Sequence, residues 1–138
     1  MDFALTEKQE ILHRSAREFL EVECPTSVVR EAEESREGHA PELWRKMAGL
    51  GWLGISLPEQ FGGTGGSLTD QTVLFEEIGR ALTPGPLLTS SVLAAPIVLN
   101  SVNDGHKAAL IPGLIRCEII LTLASVGRLG TASRYGGR

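Results

Sequence analysis

Apolar residues near the start of the chain recur at the spacing of one helix face. Leu12 is followed by further apolar residues four, seven and eight positions later, which is the period of a helix that buries one side. Thr6 and Gln9 have the spacing of a capping box, so the helix is predicted to begin at Thr6. The polar side of this helix is predicted to carry a surface ion pair between Arg17 and Glu21.

Three later stretches show the same period. Pro41 suits the first position of a helix, and Gly51 suits the position just past its end. The next helix is predicted to begin at Ser67 or Thr69, and the last follows Pro86. Together the stripes predict an all-α fold, a helical bundle of about four main helices. The predicted core contains nine apolar residues: Leu12, Phe19, Leu20, Trp44, Met47, Leu50, Leu74, Ile78 and Leu99.

One segment near the C-terminus departs from the helical pattern. The run "CEIILTLAS", residues 117–125, is continuously apolar and rich in β-branched residues, which is typical of a buried strand. No second run of this kind is present to pair with it. The sequence therefore predicts a short strand-like segment there, without a sheet.

The stretch "LGWLGISLPEQFGGTGGSL", residues 50–68, contains six of the sixteen glycines. It matches neither the phosphate-binding loop, which requires a lysine, nor the dinucleotide fingerprint, which requires a third glycine where Leu68 stands. Because the run precedes a helix, binding of an anion at the helix start stays open. The favoured interpretation is a set of turns that shapes the connection between two helices.

Composition and charge exclude several classes of function. The 138 residues are 42% hydrophobic and 22% charged, with a net charge of −4 and no broad basic region, which fits one soluble domain and disfavours nucleic-acid binding. The longest apolar run, "VLAAPIVL", is too short for a membrane span, and the start lacks an export signal. Cys24 and Cys117 have no Cys or His at ligand spacing, so two reduced thiols in a cytoplasmic protein and no metal site are expected.

No catalytic constellation is visible in the sequence. Glu76 and Glu77 point about 100° apart on a helix, so they are not paired catalytic carboxylates and are expected to pair with Arg80. Ser56 lacks the glycine two positions later that a nucleophile elbow requires. The three histidines are dispersed and are assigned surface or capping roles; they are His13, His39 and His106.

Four segments in this order resemble the N-terminal helical domain of the acyl-CoA dehydrogenase family. They read "MDFALTEKQEILHRSAREFL", "ELWRKMAGLGWLGISLPEQFGGTGGSL", "LFEEIGRAL" and "HKAALIPGLIRCEIILTLA". The resemblance covers residues 1–124, and residues 125–138 are assigned to a Gly/Arg-rich tail outside the family pattern that is expected to be disordered. A smaller departure is Cys117, where the family usually places glycine ahead of the acidic residue, so an altered turn is expected there.

The resemblance implies a fragment of a larger flavoprotein. In the family, a β-barrel and a second helical domain follow, and they provide most FAD contacts and the catalytic glutamate for α,β-dehydrogenation of acyl-CoA. The expectation is therefore an N-terminal part, truncated and inactive alone, that holds no FAD without those domains. The expected partners are acyl-CoA and either a second copy or another acyl-CoA dehydrogenase chain. The alternative is a stand-alone helical interaction module derived from this domain.

The resemblance also suggests site residues. The helix around "LLTSSVLAAP" would line the acyl chain, although the same spacing is expected of bundle core. Contacts to FAD, if the missing domains were supplied, would come from Leu123 and Ala124. The residues assigned to the acyl pocket are Leu88, Ser91, Val92 and Ala95.

Overall fold

A computed structural model describes residues 4–101 and 103–124. It contains six α-helices: α1 (Glu7–Glu23), α2 (Thr26–Glu34), α3 (Pro41–Gly49), α4 (Leu68–Arg80), α5 (Ala95–Leu99) and α6 (Asp104–Ile115). A π-helical segment (Leu88–Ala94) runs directly into α5, and short 3₁₀ turns occupy Trp52–Gly54 and Glu59–Phe61. The all-α fold is confirmed, with two more helices than the four that the stripes predicted.

The capping signals place the helix ends correctly. The Thr6 hydroxyl accepts from the Gln9 amide, and the Gln9 side chain accepts from the Thr6 amide, so α1 begins with a complete capping box. The same reciprocal pair joins Ser67 and Asp70 at the start of α4. Gly51 follows α3 with a left-handed φ of 78°, a conformation that favours glycine.

The two additional helices, α2 and α6, gave weak sequence signals for different reasons. In α2, Ala32 is the buried residue of a short helix that otherwise consists mainly of polar residues. In α6, apolar residues surround the axis, so no single face stands out; Asn103 nevertheless caps it by accepting from the His106 amide. Helix α6 packs against α5 through Ile111 and Leu114, and packing of this kind is where most helix stability in proteins originates.

The core consists of two clusters. The larger one joins α1, α3 and α4 around Leu20, Met47 and Leu74, and the smaller one joins α5 to α6. Five predicted core residues are buried, namely Leu20, Trp44, Met47, Leu74 and Ile78. Leu12, Phe19 and Leu99 are half-buried and pack against the clusters. The prediction for Leu50 is wrong: it is 52% exposed, because α3 ends at Gly49 and Leu50 lies in the turn that follows.

The glycine-rich stretch is a compact connection between α3 and α4. Its amides donate to carbonyls of the same stretch: Gly63 to Pro58, Gly65 to Leu57 and Gly66 to Ile55. The first turn of α4 is also capped, by Ser67. These amides are therefore engaged within the protein, which favours the predicted turn structure over an anion site.

The residues after α6 form no strand up to residue 124, so the strand-like assignment of residues 117–125 is not supported in the part of the chain that the structure describes. Cys117 adopts a left-handed φ of 63°. The amide of Glu118 donates to Gly113 and that of Cys117 to Leu114, which is the Schellman pattern that closes a helix end. The turn is thus retained with cysteine in the position that favours glycine. Residues 125–138, assigned above to a tail, lie outside the described residues.

The C-terminus of α4 provides a test of this turn geometry. Leu82 ends the same type of Schellman turn with a φ of 52° while its side chain is 72% exposed. Since a left-handed conformation costs a non-glycine residue about 1–2 kcal/mol, Leu82→Gly is expected to raise the free energy of unfolding by about 0.5–1 kcal/mol in urea denaturation. Leu68, an equally exposed leucine at the other end of α4, is the control: Leu68→Gly is expected to lower stability by a similar amount. A loss of stability in Leu82→Gly would contradict this account.

Candidate functional site

The helix that precedes α6 has an unusual internal geometry. Residues Leu88–Ala94 are π-helical, and the Ala95 amide donates to the Ser90 carbonyl, five residues back. Pro96 follows at once and carries no amide proton, so it gives no bond to the preceding turn. Short π-helical segments are rare and occur frequently at functional sites.

Two consecutive serines fix the inner side of this helix. The Ser91 hydroxyl donates to the Leu53 carbonyl at 2.8 Å, and the Ser90 hydroxyl donates to the Leu121 carbonyl at 2.6 Å. Both serines are 1% exposed or less, so each hydroxyl needs the partner that it has. Ala95 lies on the same side and packs in the smaller core cluster. The helix is thereby attached to the 3₁₀ turn on one side and to the run after α6 on the other.

The outer side of the helix is apolar and open. Leu88 is 53% exposed, Leu93 42% and Ile97 52%; these three residues are called the outer face below. Val92 is half-buried beside them. The four residues predicted for the acyl pocket therefore do not share one surface, because Leu88 and Val92 are outside while Ser91 and Ala95 face the bundle.

A cleft of about 260 Å³ adjoins the outer face where α4 ends. Leu88 belongs to its lining together with Leu82 and Gly85 from the connection after α4. Met47, Phe75 and Ile78 form the deeper apolar part. Leu88 therefore belongs both to the outer face and to this cleft.

Leu123 and Ala124, the two residues assigned to FAD contacts, are the last two residues that the structure describes. Leu123 is 47% exposed, and Ala124 is exposed. Two residues before Leu123, Leu121 packs against the smaller core cluster and accepts the hydrogen bond from Ser90. The run is therefore anchored at Leu121 and presents Leu123 and Ala124 to the exterior.

The most perturbed acid lies away from this region, between α1 and α4. Glu77 is fully buried, with Arg17 Nη2 at 2.7 Å, Arg80 Nε at 2.7 Å and His13 Nε2 at 2.9 Å from its carboxylate oxygens. The hydrogen bond from Arg17, with help from Arg80 and against the effect of burial, lowers the pKa of Glu77 from 4.5 to about 2. A carboxylate with so low a pKa, bound on both oxygens by its neighbours, is suited to holding two helices together and not to proton transfer at neutral pH.

Sequence reasoning missed this cluster in part. The pairing of Glu77 with Arg80 is confirmed, but Arg17 pairs with Glu77 instead of the predicted Glu21. Glu21 lies instead 3.4 Å from Arg80. The available signal was the position of Glu77, since it follows Val73 and Leu74 at helical spacing and so lies on the buried stripe of α4.

Cysteine and carboxylate side chains do not assemble into a metal site in the described part of the chain. Within residues 4–101 and 103–124, no three side chains of His, Cys, Asp or Glu come together as metal ligands. Cys24 is buried, and burial raises the pKa of its thiol, which makes it a poor nucleophile. None of the helices in these ranges combines the length and apolarity needed to cross a bilayer.

The chain is similar in sequence to curated acyl-CoA dehydrogenases. Acyl-CoA dehydrogenase IpdE2 of Mycolicibacterium smegmatis is 35% identical over 128 residues, which is 92% of this chain and 37% of the relative. Mitochondrial isovaleryl-CoA dehydrogenase of Pongo abelii is 31% identical over 125 residues, which is 87% of this chain and 29% of the relative. The chain thus spans well under half the length of these relatives.

The fold has neighbours in the same family. The crystal structure of the ChsE4-ChsE5 complex from Mycobacterium tuberculosis superposes with a TM-score of 0.83 at 28% identity, covering 94% of this chain and 36% of that chain. The family model for the N-terminal domain of acyl-CoA dehydrogenases matches residues 6–118. The chain therefore belongs to the acyl-CoA dehydrogenase family and carries that family's N-terminal helical domain.

Proposed function

We propose that the chain provides the N-terminal helical domain of a flavin-dependent acyl-CoA dehydrogenase, an enzyme that introduces an α,β double bond into acyl-CoA thioesters. The observation that carries this proposal is the match of the family's N-terminal domain over residues 6–118. Agreement of the backbone with a solved neighbour over 94% of the chain supports it. The chemistry then requires an acyl group held between a base and a flavin.

The outer face is the best candidate for contact with the acyl chain. Leu88, Leu93 and Ile97 are large, exposed and apolar. Leu88 also lines the apolar cleft together with Leu82. Leu88 and Val92 remain in the proposed pocket. Ser91 and Ala95 have their side chains occupied inside the bundle, so their proposed role is to hold the helix.

FAD would supply the hydride acceptor for this reaction when bound. The exposed positions of Leu123 and Ala124 at the end of an anchored run fit a surface contact with such a group. The carboxylate of the buried Glu77 is paired with Arg17 and Arg80. The catalytic base that removes the α-proton is therefore proposed to come from outside residues 4–124. On this proposal the described domain alone neither retains FAD nor oxidises acyl-CoA.

An exchange of domains tests this proposal. In the hybrid, residues 4–124 replace the matched N-terminal region of isovaleryl-CoA dehydrogenase, which is 31% identical to this chain. The hybrid is expected to fold and to hold FAD, because the outer face of the helical domain is then covered by the remaining domains. Loss of FAD from a folded hybrid, while the parent enzyme retains it, would contradict the proposal.

The partner is proposed to be another acyl-CoA dehydrogenase chain. The ChsE4-ChsE5 neighbour is a complex of two chains. In the isolated chain the outer face, which the remaining domains would otherwise cover, is the kind of exposed apolar patch that drives association. On its own, the chain is then expected to associate with itself through this face.

Sedimentation velocity of the purified chain tests the association. The wild type is expected to show a concentration-dependent increase in sedimentation coefficient, and Leu93→Glu/Ile97→Glu is expected to stay monomeric because a charge at the patch is costly to bury. Val22→Glu is the control, since Val22 is 75% exposed on α1, and it should associate like the wild type. Equal association of the double variant and the wild type would contradict the proposed surface.

A further inference from the structure

The spacing of the outer face depends on the π-helical geometry. Leu88 and Leu93 are five residues apart, and in an α-helix this separation turns the second residue about 140° away from the first. In a π-helix the backbone hydrogen bond joins residues five apart, so the same separation brings the second residue back to nearly the same side as the first. Leu93 and Ile97 are four apart, a separation that keeps residues on one side of an α-helix. Only the π-helical register therefore gathers all three residues into one face.

A π-helical segment persists when its surroundings hold it in place. Here the serine hydroxyls bind two carbonyls that lie outside the helix, Leu53 in the 3₁₀ turn and Leu121 in the run after α6. Both hydroxyls are buried, so a return to α-helical register would leave them without these partners. Pro96 adds to this, because in an α-helical register its ring would clash with the carbonyl of Val92, four residues back.

We propose that Ser90 and Ser91 are positioning residues that hold the π-helical register of Leu88–Ala94 and so build the outer face. Neither serine touches the acyl chain in this account; each acts through the helix that it attaches. The consequence for acyl-CoA binding rests on the proposed function. The register itself does not, and it is measured without any ligand.

Scalar couplings across hydrogen bonds, measured by NMR on the whole chain, report the register directly. The wild type is expected to show a coupling between the Ala95 amide nitrogen and the Ser90 carbonyl carbon, which the structure joins by a hydrogen bond. Ser90→Ala/Ser91→Ala is expected to lose this coupling and to gain the α-helical one between Ala95 and Ser91. Thr89→Ala is the matched control, because the Thr89 hydroxyl donates only to the nearby Pro86 carbonyl, three residues back in the chain, and this variant should keep the wild-type coupling.

The coupling decides whether the two serines hold the register. A folded double variant that retains the coupling between Ala95 and Ser90 would overturn the role of the serines, as would an α-helical coupling in the wild type. If the double variant does not fold, the single variants are measured, and each is expected to weaken the Ala95–Ser90 coupling more than Thr89→Ala does. Equal coupling in the single variants and in Thr89→Ala would also overturn it. Absence of FAD from the hybrid enzyme, by contrast, would count against the proposed function alone.

Discussion

Replacing Gly63 with alanine is expected to lower the free energy of unfolding by about 3 kcal/mol or more, the upper range for overpacked sites. A Cβ atom at this position would lie 2.1 Å from the Leu57 carbonyl oxygen and 2.9 Å from that of Gly54. Both obstacles are backbone atoms, and the stretch that contains them is closed by its own hydrogen bonds. The clash is therefore relieved only by opening the connection between α3 and α4. Urea denaturation followed by circular dichroism measures the loss.

Gly79→Ala is the matched control for this substitution. Gly79 lies in α4, and a Cβ atom there would meet nothing within 4 Å. Alanine is favoured over glycine inside a helix by about 0.5–1 kcal/mol, so this variant is expected to gain stability. If Gly63→Ala unfolded at the same urea concentration as the wild type, the described packing of the glycine-rich stretch would be wrong.

Replacing Glu77 with alanine is expected to lower the free energy of unfolding by about 2–3 kcal/mol, since hydrogen bonds to charged groups are each worth about 1.5–3 kcal/mol. Arg17 and Arg80 both lose their buried partner in this variant. The loss stays below that of a fully buried ion pair, because both guanidinium groups keep contact with solvent and are rehydrated. Urea denaturation at neutral pH gives the value. Glu76→Ala removes an exposed neighbour and is expected to change stability by less than about 0.5 kcal/mol.

The pH dependence of stability provides a second test of the same cluster. The folded-state pKa of Glu77, about 2, lies below its ordinary value of 4.5. Its contribution is therefore fully present above pH 4.5 and declines as the pH falls toward 2. Glu77→Gln cannot titrate, so its stability is expected to fall less steeply than that of the wild type across this window. Parallel curves for the two proteins would show that Glu77 is not the group described.

The helices that the sequence predicts well are those with local signals. These signals are the capping pair Thr6 and Gln9, Pro41 at a helix start and Gly51 after a helix end. Each acts within one helical turn, so its effect can be predicted without knowing the tertiary structure. The helix α2 lacks such a signal, and its burial of Ala32 depends on the neighbouring helices. The exposure of Leu50 likewise depends on where α3 ends relative to the core. Tertiary packing determines both features, and the periodicity of apolar residues carries no information about that packing.

The sequence predicts that the candidate site lies on a helix, but not which of its residues share a surface. A stripe drawn at the α-helical period placed Leu88, Ser91, Val92 and Ala95 together, whereas the π-helical segment separates them into an outer and an inner side. The bonds that hold this segment join Ser90 to Leu121 and Ser91 to Leu53, across 31 and 38 residues. Contacts between residues so far apart in the chain produce no periodic pattern in the sequence. The pairing of Glu77 with Arg17 was hidden for the same reason, since the two residues are 60 positions apart.

Bleaching of the flavin in the hybrid enzyme shows whether this helical domain supports the dehydrogenation reaction. Because flavin loses its visible absorbance when it accepts a hydride, anaerobic addition of a series of acyl-CoA thioesters reports transfer from substrate to cofactor in one step. If residues 4–124 form the N-terminal domain of an acyl-CoA dehydrogenase, at least one thioester should bleach the flavin of the hybrid. A folded hybrid that holds FAD but is bleached by none of the series, while the parent enzyme is bleached by isovaleryl-CoA, would contradict the assignment of residues 4–124 to a working N-terminal domain.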